Sequence, residues 1–371
     1  MTSFSKKDTS IIKGIAILML IGYHCFSSVQ RLYGYPVNFG IIPQKTAIYI
    51  FESMNICVGM FAFLSVYGLT KIFTKIENNI ESTRTFIIKR LIKLFSIFII
   101  PYIMCTSITL IFTDHNPYGK GINFIFNMVS DMLGLAEILG TPLMVGTWWY
   151  MSFAIILIII TPITIKLYDK YGWYIFLPFL FPVVFRPNFF SATSLTNMTR
   201  WLLTIPIGVI FAKENIFERL KNVVIIKNNI FNKIIKFLIM TLALIVLIKF
   251  RTTEWSKEYV FYIISSVLPV FFICYLYEFI VNIPFLKDIL IFLGKHSANI
   301  FFTHTFIRSI WLKEFTYSLI NPIKIYGVVL ILSIIISLAI ELIKKLIRYE
   351  KIINFIVNKA TQKCSEDVNK V

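Results

Sequence analysis

Stretches of about twenty predominantly apolar residues recur along this chain from one end to the other, each long enough to cross the ~30 Å hydrocarbon core of a bilayer as a helix. Composition leaves no other course. Of 371 residues 57% are hydrophobic and only 15% charged, against ~25% charged in an average soluble domain. A water-soluble fold built from this chain would have too few polar side chains to cover its surface. The expected fold is an all-α, polytopic transmembrane helix bundle of about ten spans, near residues 11–27, 48–70, 94–114, 147–165, 172–189, 199–212, 237–250, 259–281, 297–312 and 325–343. The fifth and sixth are short or broken by Pro178, Pro182 and Pro206. Lys6 and Lys7 precede an apolar run with no small-residue cleavage pattern behind it, so the first span is not read as a signal peptide.

The net charge of +18 would suit a nucleic-acid partner, but its distribution argues against one. With the N-terminus inside, the inward segments hold 26 of the 37 Lys and Arg residues, the positive-inside pattern of a membrane protein. Both termini are then cytoplasmic, and the basic loops orient the chain and meet anionic membrane lipid. Residues 1–345 read as one membrane domain and 346–371 as a short basic, partly amphipathic cytoplasmic tail. Residues 115–146 form a long outer segment too broken to cross, read as a re-entrant or surface-lying helix. Cys25, Cys57, Cys105, Cys274 and Cys364 show no paired spacing, so neither a disulfide framework nor a metal site is expected.

Two ionisable residues interrupt the first span. Lys13 and His24 lie eleven positions apart in IIKGIAILMLIGYHCF, three helical turns plus roughly 20°, so they share one face with ~16 Å between them. An ionisable residue in hydrocarbon is costly and is by default a functional candidate. His24, past the middle of the membrane, is the candidate general base or nucleophile; a histidine bonded to a neighbouring helix is the bland alternative. Lys13, near the cytoplasmic end, equally fits a lysine that snorkels to the headgroups.

Further along, Lys89, Arg90 and Lys93 crowd a cytoplasmic helix start in FIIKRLIKLF. Arg90 and Lys93 are neighbours on one face and suit phosphate, or simply anchor the helix. In FLGKHSANIFFTHTF and the residues after it, Ser297, His304 and Arg308 share a face. His296, beside Lys295, reads as a wet entry residue, and His115 in TDHNPYG as a loop residue. Trp148, Trp149 and Tyr150 read as an interfacial aromatic belt, with sugar stacking as the alternative. Glu52, Asp131 and Glu137 are acids on the outer side, any of which could orient His24.

A Lys followed by ten residues and then a His in the first span resembles the signature of the membrane-bound acyltransferase-3 family. Other blocks follow in that family's order: NICVGMFAFLSVYGL (55–69), where Ser65 is kept but Val66 replaces the usual Gly; FIIKRLIKLF (86–95), where Lys93 replaces the usual Arg; GTWWYMSFAII (146–156); RWLLTIPIGVIF (200–211); and FLGKHSANIFFTHTF (292–306). The resemblance implies a bacterial cell-membrane enzyme that moves an acyl group, often acetyl from acetyl-CoA, to a hydroxyl of an extracytoplasmic or lipid-linked surface polysaccharide. It implies acyl-CoA as donor substrate with no permanently bound cofactor. His24 would be catalytic, Lys13, Arg90 and Lys93 would bind acyl-CoA, and Ser65, His304 and Arg308 would position substrate. A multi-span transporter or flippase of lipid-linked glycan is the competing reading, since intramembrane Lys, His and Arg also mark transport paths.

Overall fold

The computed structural model describes residues 4–76, 79–184, 196–281 and 283–368. Every regular element among them is helical, as expected for a chain that must satisfy its backbone within lipid. The principal helices are α1 (Lys6–Phe26), α2 (Gln44–Ser53), α3 (Ile56–Phe73), α4 (Ile80–Phe112), α5 (Gly121–Met132), α6 (Trp149–Tyr171), α7 (Asn229–Arg251), α8 (Phe261–Phe279), α9 (Pro284–Phe306), α10 (Lys313–Ser318), α11 (Pro322–Leu346) and α12 (Tyr349–Val368). Local chemistry sets several of the starts. Asn79 caps α4 by accepting from the Ser82 amide at 2.7 Å. Asn321 caps α11 through the Ile323 and Lys324 amides, with Pro322 in the first turn, where its missing N–H costs nothing.

Seven helical stretches are long and apolar enough to cross a membrane among the described residues: Lys6–Phe26, Gln44–Phe73, Ile80–Phe112, Gly146–Phe181, Asn229–Arg251, Phe261–Phe279 and Pro322–Leu346. Ten were expected, and the difference has physical causes. The fourth expected span runs on into the fifth as one apolar stretch, Gly146–Phe181; residues 185–189 of the fifth lie outside the described residues. The sixth becomes Thr204–Lys213, only ten residues, or ~15 Å of helix. The ninth belongs to α9, which has 23 residues but carries Lys287, Asp288 and Lys295 in its first half. Helix α4 has 33 residues, some 50 Å, so its basic N-terminal turns extend beyond a hydrocarbon core.

Contacts divide the chain into two units. The first comprises Met1–Met19, Ser53–Lys71 and Ile163–Lys295. Its tightest packing is a reciprocal glycine crossing of α1 and α9: a Cβ at Gly294 would fall on the Ser10 carbonyl oxygen, and one at Gly14 on the Leu290 carbonyl oxygen. Only glycine permits backbones to approach so closely. An aromatic cluster of Phe4, Tyr67, Phe217 and Tyr277 closes this unit at the start of α1.

The second unit comprises Leu20–Glu52, Ile72–Pro162 and His296–Val371. Within it, tail helix α12 packs along α4. The segment after α4 contains α5, whose Ile122, Ile125, Phe126 and Val129 are exposed while Ser130 and Asp131 are buried. Its polar side faces protein and its apolar side faces outward, as suits the surface-lying reading. His115 is a loop residue, its Nε2 3.0 Å from the Met144 carbonyl oxygen.

Asp131 clamps this segment. Its Oδ2 accepts from the Tyr118 hydroxyl at 2.7 Å and the Met144 amide at 2.8 Å. Tyr118 in turn pairs with Tyr102 at 3.2 Å. Burial pushes the Asp131 carboxyl up from its ordinary 3.8 to about 6, against the Met144 and Tyr118 bonds that favour its charged form. The folded chain therefore holds this proton more tightly than the unfolded chain. The resulting stability is complete below the unfolded value and is lost as pH rises through about 6. Amide exchange within 115–146 is expected to accelerate between pH 4 and 6.5, and Asp131→Asn is expected to flatten that step.

Candidate functional site

His24 stands in the last turn of α1 and remains partly accessible. The chain then turns through a short 3-10 segment, Val29–Leu32, which folds Arg31 back onto the helix end. Arg31 Nη1 lies 2.5 Å from His24 Nδ1 and also donates to the Tyr23 and His24 carbonyls, with the guanidinium 4.6 Å over the Tyr23 ring. A guanidinium can only donate. His24 Nδ1 must therefore be the lone-pair nitrogen, and in neutral His24 the proton is on Nε2.

The second histidine has the opposite arrangement. His304 is fully buried on α9, its ring centroid 5.0 Å from that of His24. Its Nδ1 faces the carbonyl oxygens of Ile300 and Phe301 at 3.1 and 2.9 Å, so Nδ1 carries the proton and Nε2 accepts. The Thr305 hydroxyl, 3.2 Å away, donates to that Nε2. Thr305 meets the Thr147 hydroxyl at 3.2 Å. Trp148, expected at an interface, is instead fully buried beside this group and donates Nε1–H to the Phe302 carbonyl at 3.1 Å. Its indole packs edge-on against Phe98, so the span that opens at GTWWY begins inside the protein.

After Phe306 the helix widens into a π turn, Ile307–Trp311, a local irregularity found often at functional sites. It carries Arg308, which is 94% buried by its 6% exposure. Arg308 Nη1 donates to the Tyr33 hydroxyl at 2.8 Å, and its Nε has no hydrogen-bond partner. Tyr33 itself adopts a left-handed φ of 53°, uncommon for an aromatic residue, and stands 36% exposed above Arg308. Tyr317 packs edge-on against Tyr33 at 5.0 Å and donates to the Cys25 carbonyl. His24, Arg31, Tyr33, His304, Arg308 and Tyr317 thus form one cluster at the end of α1.

The other predicted residues stand elsewhere. Ser65, in the first unit, donates to the Phe61 carbonyl of its own helix at 2.8 Å. Lys13 is half-buried within α1 in that same unit. Arg90 and Lys93 line a cavity of about 420 Å³ with Lys89, Glu81, Phe86 and Thr361 of the tail helix; the Arg90 guanidinium sits 5.3 Å over the Phe86 ring. Ser297 is buried on α9. His296 is not a free wet residue: it is half-buried, and its Nδ1 meets the Ser337 hydroxyl at 2.8 Å.

Among the described residues no acid contacts His24, whose neighbours are Arg31, His304 and Arg308. Asp131 is committed to Tyr118 and Met144, and Glu52 is exposed. Arg31 occupies His24 Nδ1 instead. Sequence reasoning passed over it, although it is a lone Arg seven residues after His24 on the side where the positive-inside pattern leaves few cations. Among the described residues no group of three His, Cys, Asp or Glu gathers to hold a metal. The acyltransferase-3 family model, described as an acyltransferase domain, matches residues 9–342. No curated protein and no solved structure matches the chain.

Proposed function

Since the chain belongs to the acyltransferase-3 family and is a multi-span protein of the bacterial inner membrane, we propose that this membrane acyltransferase moves an acetyl group from cytoplasmic acetyl-CoA to a hydroxyl of an extracytoplasmic or lipid-linked surface glycan. One observation carries the reading: a histidine at the end of the first span, partly accessible, with a second histidine and two arginines gathered around it. Imidazole is the group best suited to take a proton from a hydroxyl near neutral pH, and it also forms acyl intermediates.

In this proposal the phosphates of CoA dock at the cavity of Arg90 and Lys93, and Lys13 is a separate candidate contact for the donor. Arg90 offers a planar fork for phosphate and Lys93 a point charge. The thioester reaches toward His24, which deprotonates the acceptor hydroxyl or first takes the acyl group itself. His304 and Arg308 are proposed to position substrate; Ser65, proposed for the same role by the resemblance, donates to the Phe61 carbonyl and keeps its oxygen lone pairs as acceptors.

Nuclear magnetic resonance of the host's surface polysaccharide, with and without this gene, tests the donor and acceptor classes together. Loss of one O-acetyl resonance is expected on deletion, and its return on complementation. An unchanged glycan would remove surface polysaccharide as the acceptor.

A further inference from the structure

Two guanidinium groups face the His24 cluster, and among the described residues no carboxylate pairs with either. Arg308 is buried with its Nε unpartnered, and its neighbours are the neutral side chains of Tyr33, Tyr317 and Cys25. Arg31 interacts electrostatically with Arg308 and with tyrosines. Among the described residues, ion pairs such as Lys213–Asp169, Lys236–Glu278 and Lys344–Glu341 involve neither Arg31 nor Arg308. Two like charges in one cluster, one of them deeply buried, favour an anion that completes the site.

We propose that the acceptor itself is anionic: a sugar whose carboxylate or phosphate docks between Arg31 and Arg308, and whose docking uncovers the reactive nitrogen of His24. The inference rests on the acyltransferase reading above. The reacting thioester is uncharged, and that reading confines the CoA phosphates to the cavity of Arg90 and Lys93. Negative charge at His24 therefore arrives with the acceptor. Tyr33, part-exposed and bonded to Arg308, links that buried guanidinium to the surface.

The same geometry couples binding to chemistry. With Arg31 on Nδ1, the only lone pair of neutral His24 is masked, and no proton can be taken there. An anion is a far stronger partner for a guanidinium than an imidazole nitrogen is. When it draws Arg31 away, Nδ1 is free. The acceptor O–H bond then breaks, its proton passing to Nδ1, and its oxygen bonds to the thioester carbonyl carbon. The C–S bond breaks with its electron pair on sulfur, and the proton held by His24 ends on that sulfur, giving acylated acceptor and free CoA thiol. Without an anionic acceptor His24 stays masked, which spares acyl-CoA from hydrolysis.

The test uses the full-length protein in lipid nanodiscs and three probes: methyl β-glucuronide, glucose 1-phosphate and the neutral methyl β-glucoside. Binding is read as thermal stabilisation and as the ¹⁵N shift of His24 Nδ1 in histidine-labelled protein; transfer is read with labelled acetyl-CoA. At least one anionic probe is expected to bind and move the Nδ1 signal while the glucoside does neither, and the better of the two identifies carboxylate or phosphate as the source. Arg31→Gln and the conservative Arg308→Lys are each expected to weaken anionic-probe binding about tenfold to a hundredfold, the value of one charge-assisted bond, and Arg31→Gln to raise acyl-CoA hydrolysis without acceptor. Equal binding or equal transfer for the glucoside and the anions would overturn the proposal and assign the arginines to the reaction's oxyanion, leaving the acyltransferase reading intact. Anion binding at these arginines without any transfer from acetyl-CoA would support the site and count against acetyl-CoA as donor.

Discussion

Replacing His24 by alanine is expected to abolish acyl transfer, with a loss of at least about a hundredfold, the lower bound for removing a positioned general base. The argument lies in what surrounds it. His304 is committed through both ring nitrogens, one to the Ile300 and Phe301 carbonyls and the other to Thr305. Arg31 and Arg308 carry no lone pair. His24 is thus the group in the cluster with a nitrogen that can be vacated and can accept a proton. Membranes containing the variant, supplied with labelled acetyl-CoA and acceptor, should give background transfer while the purified variant keeps its elution volume and thermal midpoint. Retained transfer would remove His24 from the mechanism. Label trapped on His24 in the unsubstituted protein would distinguish an acyl-imidazole route from direct attack.

The second large effect is on the fold. Gly294→Val is expected to cost at least ~3 kcal/mol, the upper end of ordinary overpacking, and to strip folded protein from the membrane. At most overpacked sites a neighbouring side chain rotates aside. At Gly294 the obstacle is the backbone carbonyl of Ser10, which has no such freedom, and moving it means parting α1 from α9. Parting them also separates Gly14 from Leu290, so the crossing fails as a whole. Gly327, on α11, meets nothing within 4 Å of its position. Gly327→Ala should therefore be neutral or gain up to ~1 kcal/mol from helix propensity. Thermal midpoints of the two variants in detergent, read by size-exclusion fluorescence, make the comparison.

Helix class and the position of His24 were legible in the sequence because hydropathy and one out-of-place imidazole are local signals. Pro178, Pro182 and Pro206 marked the uncertain spans, and that region is where the long helices give way to short ones. The extent of α9 was not legible: Lys287, Asp288 and Lys295 argue against a span, yet the helix starts at Pro284 and carries them. Trp148 shows a different limit. Its composition suits an interface, but its burial follows from which neighbours it meets, Phe98 and Phe302 among them, and no property of residues 146–156 encodes those. The Arg31 contact depends on a 3-10 turn bringing residue 31 back to residue 24, a tertiary fact with no periodic trace. For His304 and Arg308, helix spacing placed both on one face, but the π turn at Ile307 decides where Arg308 points.

Helix α5 wears its apolar residues on the outside and its polar ones within. Such a helix has its lowest energy at the level where lipid meets water, so it behaves as a float. The chain of hydroxyls from Asp131 through Tyr118 to Tyr102 of α4 is its mooring. That mooring ties a lipid-level helix to the long span α4 through side chains, so the depth at which α5 lies is set by one carboxyl and two phenols.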